Sequence, residues 1–137
     1  MSGLPRTPPL TVDIVIQIND AIVLIERKNE PIGLALPGGF VDYGESCEVA
    51  ARREALEETG LSVELTGLLG VYSDPARDPR GHTVSVVYVA QAAGVPQAGD
   101  DAGQTYLLRP EEIERDRLVF DHARILSDYL QRKVTQG

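Results

Sequence analysis

The first third of the chain alternates between apolar and polar residues in the way that neighbouring strands do. From Thr11 onward every second residue is apolar, namely Val12, Ile14, Ile16 and Ile18, so these side chains share one face of a strand. Asn19-Asp20 predicts a turn. The apolar run 21–26 has the length of a second strand, and a third over 34–39 is interrupted by proline and two glycines.

Residues 46–60 predict a helix with clear signals at both ends. Ser46 suits the N-cap, and Glu48 lies in the first turn, where the helix dipole favours an anion. Gly60 suits the left-handed residue that ends many helices. Between the caps the chain is rich in alanine and other strong helix formers.

The second half predicts further strands over 63–72, 83–90 and 106–108, with looser chain over 94–104. A closing helix is predicted from about Val119 to Lys133, because apolar residues recur there at helical spacing; they are Val119, Ala123, Leu126 and Leu130. Strands that bracket two helices predict an α/β (α+β) fold, with a mixed sheet packed between helices.

Composition narrows the class of protein. The chain has 137 residues, 42% of them hydrophobic, which suits an extended arm over 1–10 and one domain over 11–135. Its formal net charge of −8 argues against nucleic acid or an anionic membrane as a partner. No apolar run approaches the roughly 20 residues of a membrane span. The single cysteine, Cys47, fits a reducing compartment, so we expect a cytoplasmic protein.

Three glutamates on the predicted helix form an unusual cluster. Glu54, Glu57 and Glu58 stand at positions i, i+3 and i+4, so their carboxylates emerge on one face and repel one another. They also lie in the half of the helix where the dipole disfavours anions. A solvated acidic face is one interpretation. The other is a Mg²⁺ or Mn²⁺ site, because a divalent cation would join oxygen ligands that otherwise repel.

Residues upstream favour the metal site. Gly38 and Gly39 let the backbone approach a ligand closely and offer a carbonyl oxygen to a metal. Glu45 just precedes the helix, where Arg53 is able to reach it as an orienting ion pair.

These residues resemble the signature of a known family. Gly39, Glu45 and the run 53–61 match the Nudix box, G-x5-E-x7-R-E-U-x-E-E-x-G-U, with Ala55 at the first aliphatic position. The chain is therefore similar to the Nudix (MutT-like) hydrolases. The resemblance implies an α/β/α sandwich and Mg²⁺-assisted hydrolysis of a nucleoside diphosphate linked to another moiety.

The resemblance also implies roles for individual residues. Glu54, Glu57 and Glu58 would be metal ligands, with the carbonyl of Gly38 as an additional one. Glu45 and Arg53 would hold the loop and the helix in register. Divalent ions would clamp the diphosphate and activate water, while a carboxylate takes the proton.

The loop 73–82 bears on the substrate. Arg77 and Arg80 are concentrated there in an otherwise acidic chain, well placed to bind phosphate. Alternatively they pair with Asp74 and Asp78 on a surface loop. The loop sequence S-D-P-x-R-D-P-R-G-H and the later Phe-Asp-His-Ala resemble the ADP-ribose pyrophosphatase branch of the family. This resemblance implies cleavage of ADP-ribose to AMP and ribose 5-phosphate.

Other functions remain open at this point. Three other substrates are compatible with the sequence: an oxidised nucleoside triphosphate, a dinucleoside polyphosphate and another sugar nucleotide. The alternative to an enzyme is a non-catalytic module that senses a nucleotide sugar. Phe40, beside Gly39, either stacks on an adenine or belongs to the core. A homodimer is possible, as in the ADP-ribose branch generally.

One position departs from the branch's pattern. Similar sequences carry a glutamate where this chain has Gln104, and glutamine cannot act as a base. If this loop supplies the general base, Asp101 or Asp100 must substitute; otherwise the box glutamates do the work alone. Turn formation is the other interpretation of the two aspartates.

Overall fold

A computed structural model describes residues 3–99 and 102–136. Within them the strands are β1 (Leu10–Ile18), β2 (Ala21–Arg27), β3 (Leu34–Ala35), β4 (Gly38–Phe40), β5 (Glu64–Tyr72), β6 (Val84–Gln91) and β7 (Ala102–Leu108). The helices are α1 (Cys47–Thr59) and α2 (His122–Gln136). Two short 3₁₀ turns, Pro110–Glu112 and Arg115–Arg117, connect β7 to α2. No helix of the described chain is both long and apolar enough to cross a membrane.

The sheet is mixed and has β1 at its centre. On one side β1 runs parallel to β6, which pairs antiparallel with β5. The other side of β1 is shared, because β4 pairs with residues 11–13 and β2 pairs with residues 17–18. Further along, β2 pairs with β3 in place of β1, while β7 pairs with the other edge of β2 over residues 22–27. The segment 34–40 therefore fills the space between β1 and β2 and carries the two glycines to the middle of the sheet.

Both faces of the sheet are covered. Val12, Ile14 and Ile16 pack with the alanines of α1, whereas Val15 packs with α2 through Leu126 and its neighbours. Burial on both faces is typical of a strand with a parallel partner. The predicted sandwich, with the sheet between helices, is confirmed.

The predicted bounds of α1 are also confirmed. Ser46 lies at the N-cap and its Oγ accepts a hydrogen bond from the Val49 N–H (3.1 Å). Gly60 ends the helix at φ 72°, and its N–H donates to the Leu56 carbonyl (2.9 Å). Alanines line the side of α1 that packs in the core, so the core does not require its glutamates.

Two predicted boundaries were wrong. Helix α2 begins at His122, not Val119, because the Val119 N–H donates to the Leu34 carbonyl (2.9 Å) and Phe120 adopts a left-handed φ of 56°. Strand β7 begins at Ala102, four residues before Tyr106, because it pairs with the far end of β2. Both errors arise from pairing with distant segments, which local periodicity does not reveal.

Candidate active site

A pocket of about 430 Å³ opens where β1, β4 and α1 meet the loop 73–82 and the start of α2. Two kinds of side chain line it. The carboxylates belong to Asp13, Asp42, Glu54, Glu58 and Asp78; the cations and aromatic rings belong to Arg27, Lys28, Arg77, Arg80, Phe40 and Phe120. Such a pocket suits an anionic ligand. Basic side chains would bind the ligand directly, and metal ions held by the carboxylates would bind it as well.

Glu58 is a buried carboxylate at the base of α1's acidic face. It is 8% exposed, and its Oε1 accepts a hydrogen bond from the Gly38 N–H (2.7 Å). Burial raises the pKa of Glu58 to about 8, against the effect of that hydrogen bond and with support from the charges of Glu54 and Asp13. The ionised form of Glu58 is therefore unfavourable at this buried position unless a cation lies beside it.

The two glycines are required by close packing. A Cβ on Gly39 would lie 2.6 Å from the carboxylate of Glu54, and a Cβ on Gly38 would lie 2.2 Å from the Val12 carbonyl oxygen. Burial raises the pKa of Glu54, opposed by its bond to Arg53. The glycines thus allow the β4 backbone to lie directly against the carboxylates of Glu54 and Glu58.

Arg53 connects the loop before α1 with the acidic face. Its Nε and Nη2 donate to Glu45 (2.7 and 2.8 Å), so the predicted ion pair is present. Its Nη1 donates to Glu54 (2.8 Å) and Glu57 (3.2 Å), and its Nη2 also donates to the Phe40 carbonyl (3.1 Å). The hydrogen bonds from Arg53 hold the pKa of Glu45 down at about 2. One guanidinium therefore fixes the positions of three glutamates.

The structure brings together most of the predicted metal ligands. Glu54, Glu58 and Gly38 line the pocket, whereas the side chain of Glu57 is 57% exposed and is linked to Glu54 through Arg53. Within residues 3–99 and 102–136, no three Asp, Glu, His or Cys side chains converge into a ready-made metal cluster. The donors are nevertheless oxygen atoms, one of them on a buried carboxylate, and this set fits a hard divalent cation.

The two loop arginines lie in different surroundings. Arg77 is buried and donates to Asp121 (3.0 and 2.8 Å) and to Thr83 Oγ1 (2.9 Å). Arg80 is half-exposed and pairs with Asp78 (3.0 and 2.9 Å), as the alternative interpretation expected. The contacts of Arg77 favour a positioning role, and a direct contact with substrate remains a prediction for both.

The loop predicted to hold a general base is only partly described. Asp100 and Asp101 lie outside the described residues. The Gly99 N–H donates to the Glu58 carbonyl (3.1 Å), so the chain preceding them lies against the C-terminal end of α1. Gln104 is exposed on β7, accepts a hydrogen bond from the Tyr106 hydroxyl (3.3 Å) and does not line the pocket.

Comparison with known proteins decides the family, because the NUDIX domain model matches residues 7–129. The chain belongs to the Nudix family. It is 45% identical to the ADP-ribose pyrophosphatase of Methanocaldococcus jannaschii, over 92% of this chain and 75% of that protein. It is 32% identical to the ADPR responsive transcriptional repressor NtrR of Acinetobacter baylyi, over 92% of this chain and 54% of that protein.

A solved structure agrees. The NUDIX domain of Shewanella oneidensis NrtR complexed with ADP ribose matches with a TM-score of 0.82 at 26% identity, over 93% of this chain and 89% of that one. The predicted fold and enzyme class are confirmed: the chain is a Nudix hydrolase. Hydrolases of this family use divalent metal ions.

Sequence reasoning singled out neither Asp13 nor Arg27 of this Nudix pocket, and it named Phe120 and His122 only within the Phe-Asp-His-Ala motif. Asp13 is buried and accepts a hydrogen bond from Ser85 Oγ (2.5 Å). His122 accepts from the Leu36 N–H at Nδ1 (3.0 Å), and its Nε2 lies 3.5 Å from Asp13. Arg27 stacks on Phe120, 5.1 Å from the ring centre. The charge of Asp13 within a run of buried apolar residues is a signal that could have drawn attention to it.

Proposed function

We propose that this Nudix hydrolase cleaves the diphosphate of ADP-ribose with Mg²⁺, giving AMP and ribose 5-phosphate. The observation that carries the proposal is a single pocket that combines the carboxylates of Glu54 and Glu58 with Arg80 and Phe40. The 45% identity to an ADP-ribose pyrophosphatase over most of the chain supports it.

Glu54 and Glu58 would hold the ion, with Glu57 and the carbonyl of Gly38 as further ligands. When bound, Mg²⁺ (or Mn²⁺) would offset the charge of the diphosphate and activate water for attack on phosphorus. The buried carboxylate of Glu58 supports this assignment, because its ionised form lacks a neighbouring cation within hydrogen-bonding distance in the described chain.

The chain's own residues would position the reactants. Arg53 holds Glu54 and Glu57 in place, and Arg80 and Phe40 would contact the substrate. Asp101 or a box glutamate would take the proton from water. Replacing Asp101 with asparagine tests this last point, because a loop base predicts a lower rate and an unchanged rate assigns the proton transfer to the box.

A substrate panel with product identification tests the proposed function. Purified protein is incubated with ADP-ribose, a second nucleotide sugar, a dinucleoside polyphosphate and 8-oxo-dGTP, each in Mg²⁺ and in EDTA. We expect AMP and ribose 5-phosphate from ADP-ribose in Mg²⁺ and no turnover in EDTA. Release of inorganic diphosphate from 8-oxo-dGTP as the preferred reaction would instead assign the chain to nucleotide sanitation.

The second candidate is a module that senses ADP-ribose without consuming it. The similarity to the repressor NtrR over 92% of this chain favours it. Retention of all three box glutamates and Arg53 argues for catalysis, since a pure sensor has no use for repelling carboxylates. Binding of ADP-ribose in Mg²⁺ without formation of AMP would decide for the sensor.

A further inference from the structure

His122, the first residue of α2, is a buried histidine with one ring nitrogen unused. It is 1% exposed and lines the pocket together with Asp13. Its Nδ1 accepts a hydrogen bond from the Leu36 N–H (3.0 Å), so the ring hydrogen lies on Nε2. Nε2 lies 3.5 Å from Asp13 Oδ1 and makes no hydrogen bond to the residues that the structure describes. A buried donor without an acceptor costs free energy, and in a native protein such a group has a specific reason.

Three donor groups surround the carboxylate of Asp13. Ser85 Oγ donates to its Oδ2 (2.5 Å), and Arg77 Nη2 lies 3.6 Å from the same oxygen. Its Oδ1 faces His122 and also lies against the backbone of Gly38, because a Cβ on Gly38 would be only 2.4 Å from this oxygen. Rotation of the carboxylate would therefore press on the Gly38 backbone. The donors that orient Asp13 thus also fix the position of Gly38.

The chain that leads into α2 lies against the segment 34–40. The Val119 N–H donates to the Leu34 carbonyl (2.9 Å). Phe120 then turns the chain at a left-handed φ of 56°, a conformation that is costly for a bulky residue and is concentrated at functional sites. This turn places His122 beside the segment, so that α2 and β1 both hold it.

The contacts of His122 and Asp13 meet the acidic face of α1 at Gly38. The Gly38 N–H donates to Glu58 Oε1 (2.7 Å), and its carbonyl is one of the proposed metal ligands. A displacement of Gly38 would therefore disturb that carbonyl and the buried carboxylate at the same time. Residues that orient metal ligands, without touching the metal, strongly affect its affinity.

We infer that His122 and Asp13 form a positioning pair that holds Gly38 in place for the divalent cation. His122 acts on the segment 34–40 through the Leu36 N–H and, on the other side, through Asp13. A small closure of their separation would give the Nε2–H an acceptor, and a hydrogen bond to a carboxylate is among the strong ones. The inference rests on the proposed function and deepens it, because it assigns two positioning residues to the proposed metal site.

Two replacements of His122 separate the roles of its ring nitrogens. H122N keeps an acceptor for the Leu36 N–H in the place of Nδ1 but lacks the Nε2 donor, whereas H122Q keeps a donor in the place of Nε2. Mn²⁺ is titrated into each metal-free protein, and the free ion is measured by electron paramagnetic resonance. We expect H122N to bind Mn²⁺ about 10- to 100-fold more weakly than wild type, and H122Q to recover part of this loss. H82N, at an exposed histidine outside the pocket, is the matched control and should bind like wild type.

A double variant tests whether the two residues act as one pair. D13N keeps the size of Asp13 and removes the charge that faces Arg77 and His122. We expect D13N to weaken Mn²⁺ binding as well, and D13N/H122N to bind no more weakly than the weaker single variant, since residues that act through one another are not additive. Additive losses in the double variant would contradict the pair.

Two further measurements distinguish the pair from a structural role. Thermal unfolding in EDTA shows whether each variant is folded, and hydrolysis rates are measured at varied Mg²⁺. We expect H122N to need more Mg²⁺ for half-maximal rate, with kcat at saturating Mg²⁺ changed only a few-fold. A loss of thermal stability in H122N at unchanged Mn²⁺ affinity would make His122 merely structural and would overturn the pair. If H122N does not fold, the Mn²⁺ affinities of H122Q and D13N decide in the same way.

E58Q, which removes a proposed metal ligand, distinguishes failure of this inference from failure of the proposed function. If E58Q loses Mn²⁺ while folded H122N binds it like wild type, the positioning pair is overturned and the metal site stands. If wild type itself binds no Mn²⁺, the metal site and the pair are both overturned. The Mn²⁺ measurement does not depend on which nucleotide the protein hydrolyses.

Discussion

Helix α1 and the loop 73–82 both supply charged side chains to the pocket, but they do so by different rules. On α1 the spacing of Glu54 and Glu58 directs both carboxylates to one side, and the structure places them together. In the loop, Arg77 and Arg80 are only three residues apart, yet they end in opposite surroundings, one buried and one open. Helical periodicity determines side-chain direction, whereas a loop's side chains are directed by whatever distant residues contact them.

The largest expected effect concerns the helical side of this comparison. E58Q removes the buried charge of the acidic face while keeping its size and its acceptor for the Gly38 N–H. Because the substrate-neutralising cation would lose a ligand, we expect hydrolysis to fall on the order of 10³-fold. Steady-state assays in Mg²⁺ measure this loss.

The matched control for E58Q is E64Q, which removes one glutamate charge from the exposed start of β5. It should retain full activity, and circular dichroism should show that both variants are folded. Full activity of a folded E58Q would refute the metal site on α1.

The next effect concerns the buried arginine of the loop. R77M leaves the carboxylate of Asp121 without its partner in a largely buried position. Removing one member of a buried ion pair typically costs about 3–5 kcal/mol, so we expect a loss of that order in the free energy of unfolding, measured with urea.

Comparison with R109M sharpens this prediction. Within the described residues Arg109 pairs with exposed glutamates, and such pairs contribute at most about 1 kcal/mol. R77M could instead be as stable as R109M and lose affinity for substrate. That result would make Arg77 a substrate ligand and would contradict its assignment to a positioning role.

The sequence predicted the features of α1 that depend on nearby residues, but not the contacts of the loop 73–82 that depend on distant ones. The caps of α1 and the pair of Glu45 with Arg53 depend on residues within a turn or two of one another, and both are present as expected. The burial of Arg77 depends on Asp121, just before α2, and the position of Arg27 depends on Phe120. No local pattern encodes these pairings, because strand order and the path of segment 34–40 bring them about.

A smaller effect is expected from the residue that joins loop and helix. R53K keeps the positive charge but loses the fork that bonds Glu45, Glu54 and Glu57 at once. Replacement of a group that orients metal ligands typically costs about 10- to 100-fold, and we expect kcat to fall by that factor. R52K, on the exposed side of the same helix, should be indistinguishable from wild type; equal rates for R53K would show that charge alone is enough.

The smallest effect is a dependence of stability on pH in the metal-free protein. The fold raises the pKa of Glu58 from its ordinary 4.5 to about 8, so the folded state holds a proton that the unfolded chain releases between these values. The free energy of unfolding should therefore be highest below about pH 4.5 for this group and fall as pH rises to about 8. E58Q has no such proton, so its stability relative to wild type should grow across this interval. Urea unfolding in EDTA from pH 5 to 9 measures the difference; a constant difference would show that Glu58 ionises in the fold as easily as in water, and that the acidic face of α1 needs no cation to stay charged.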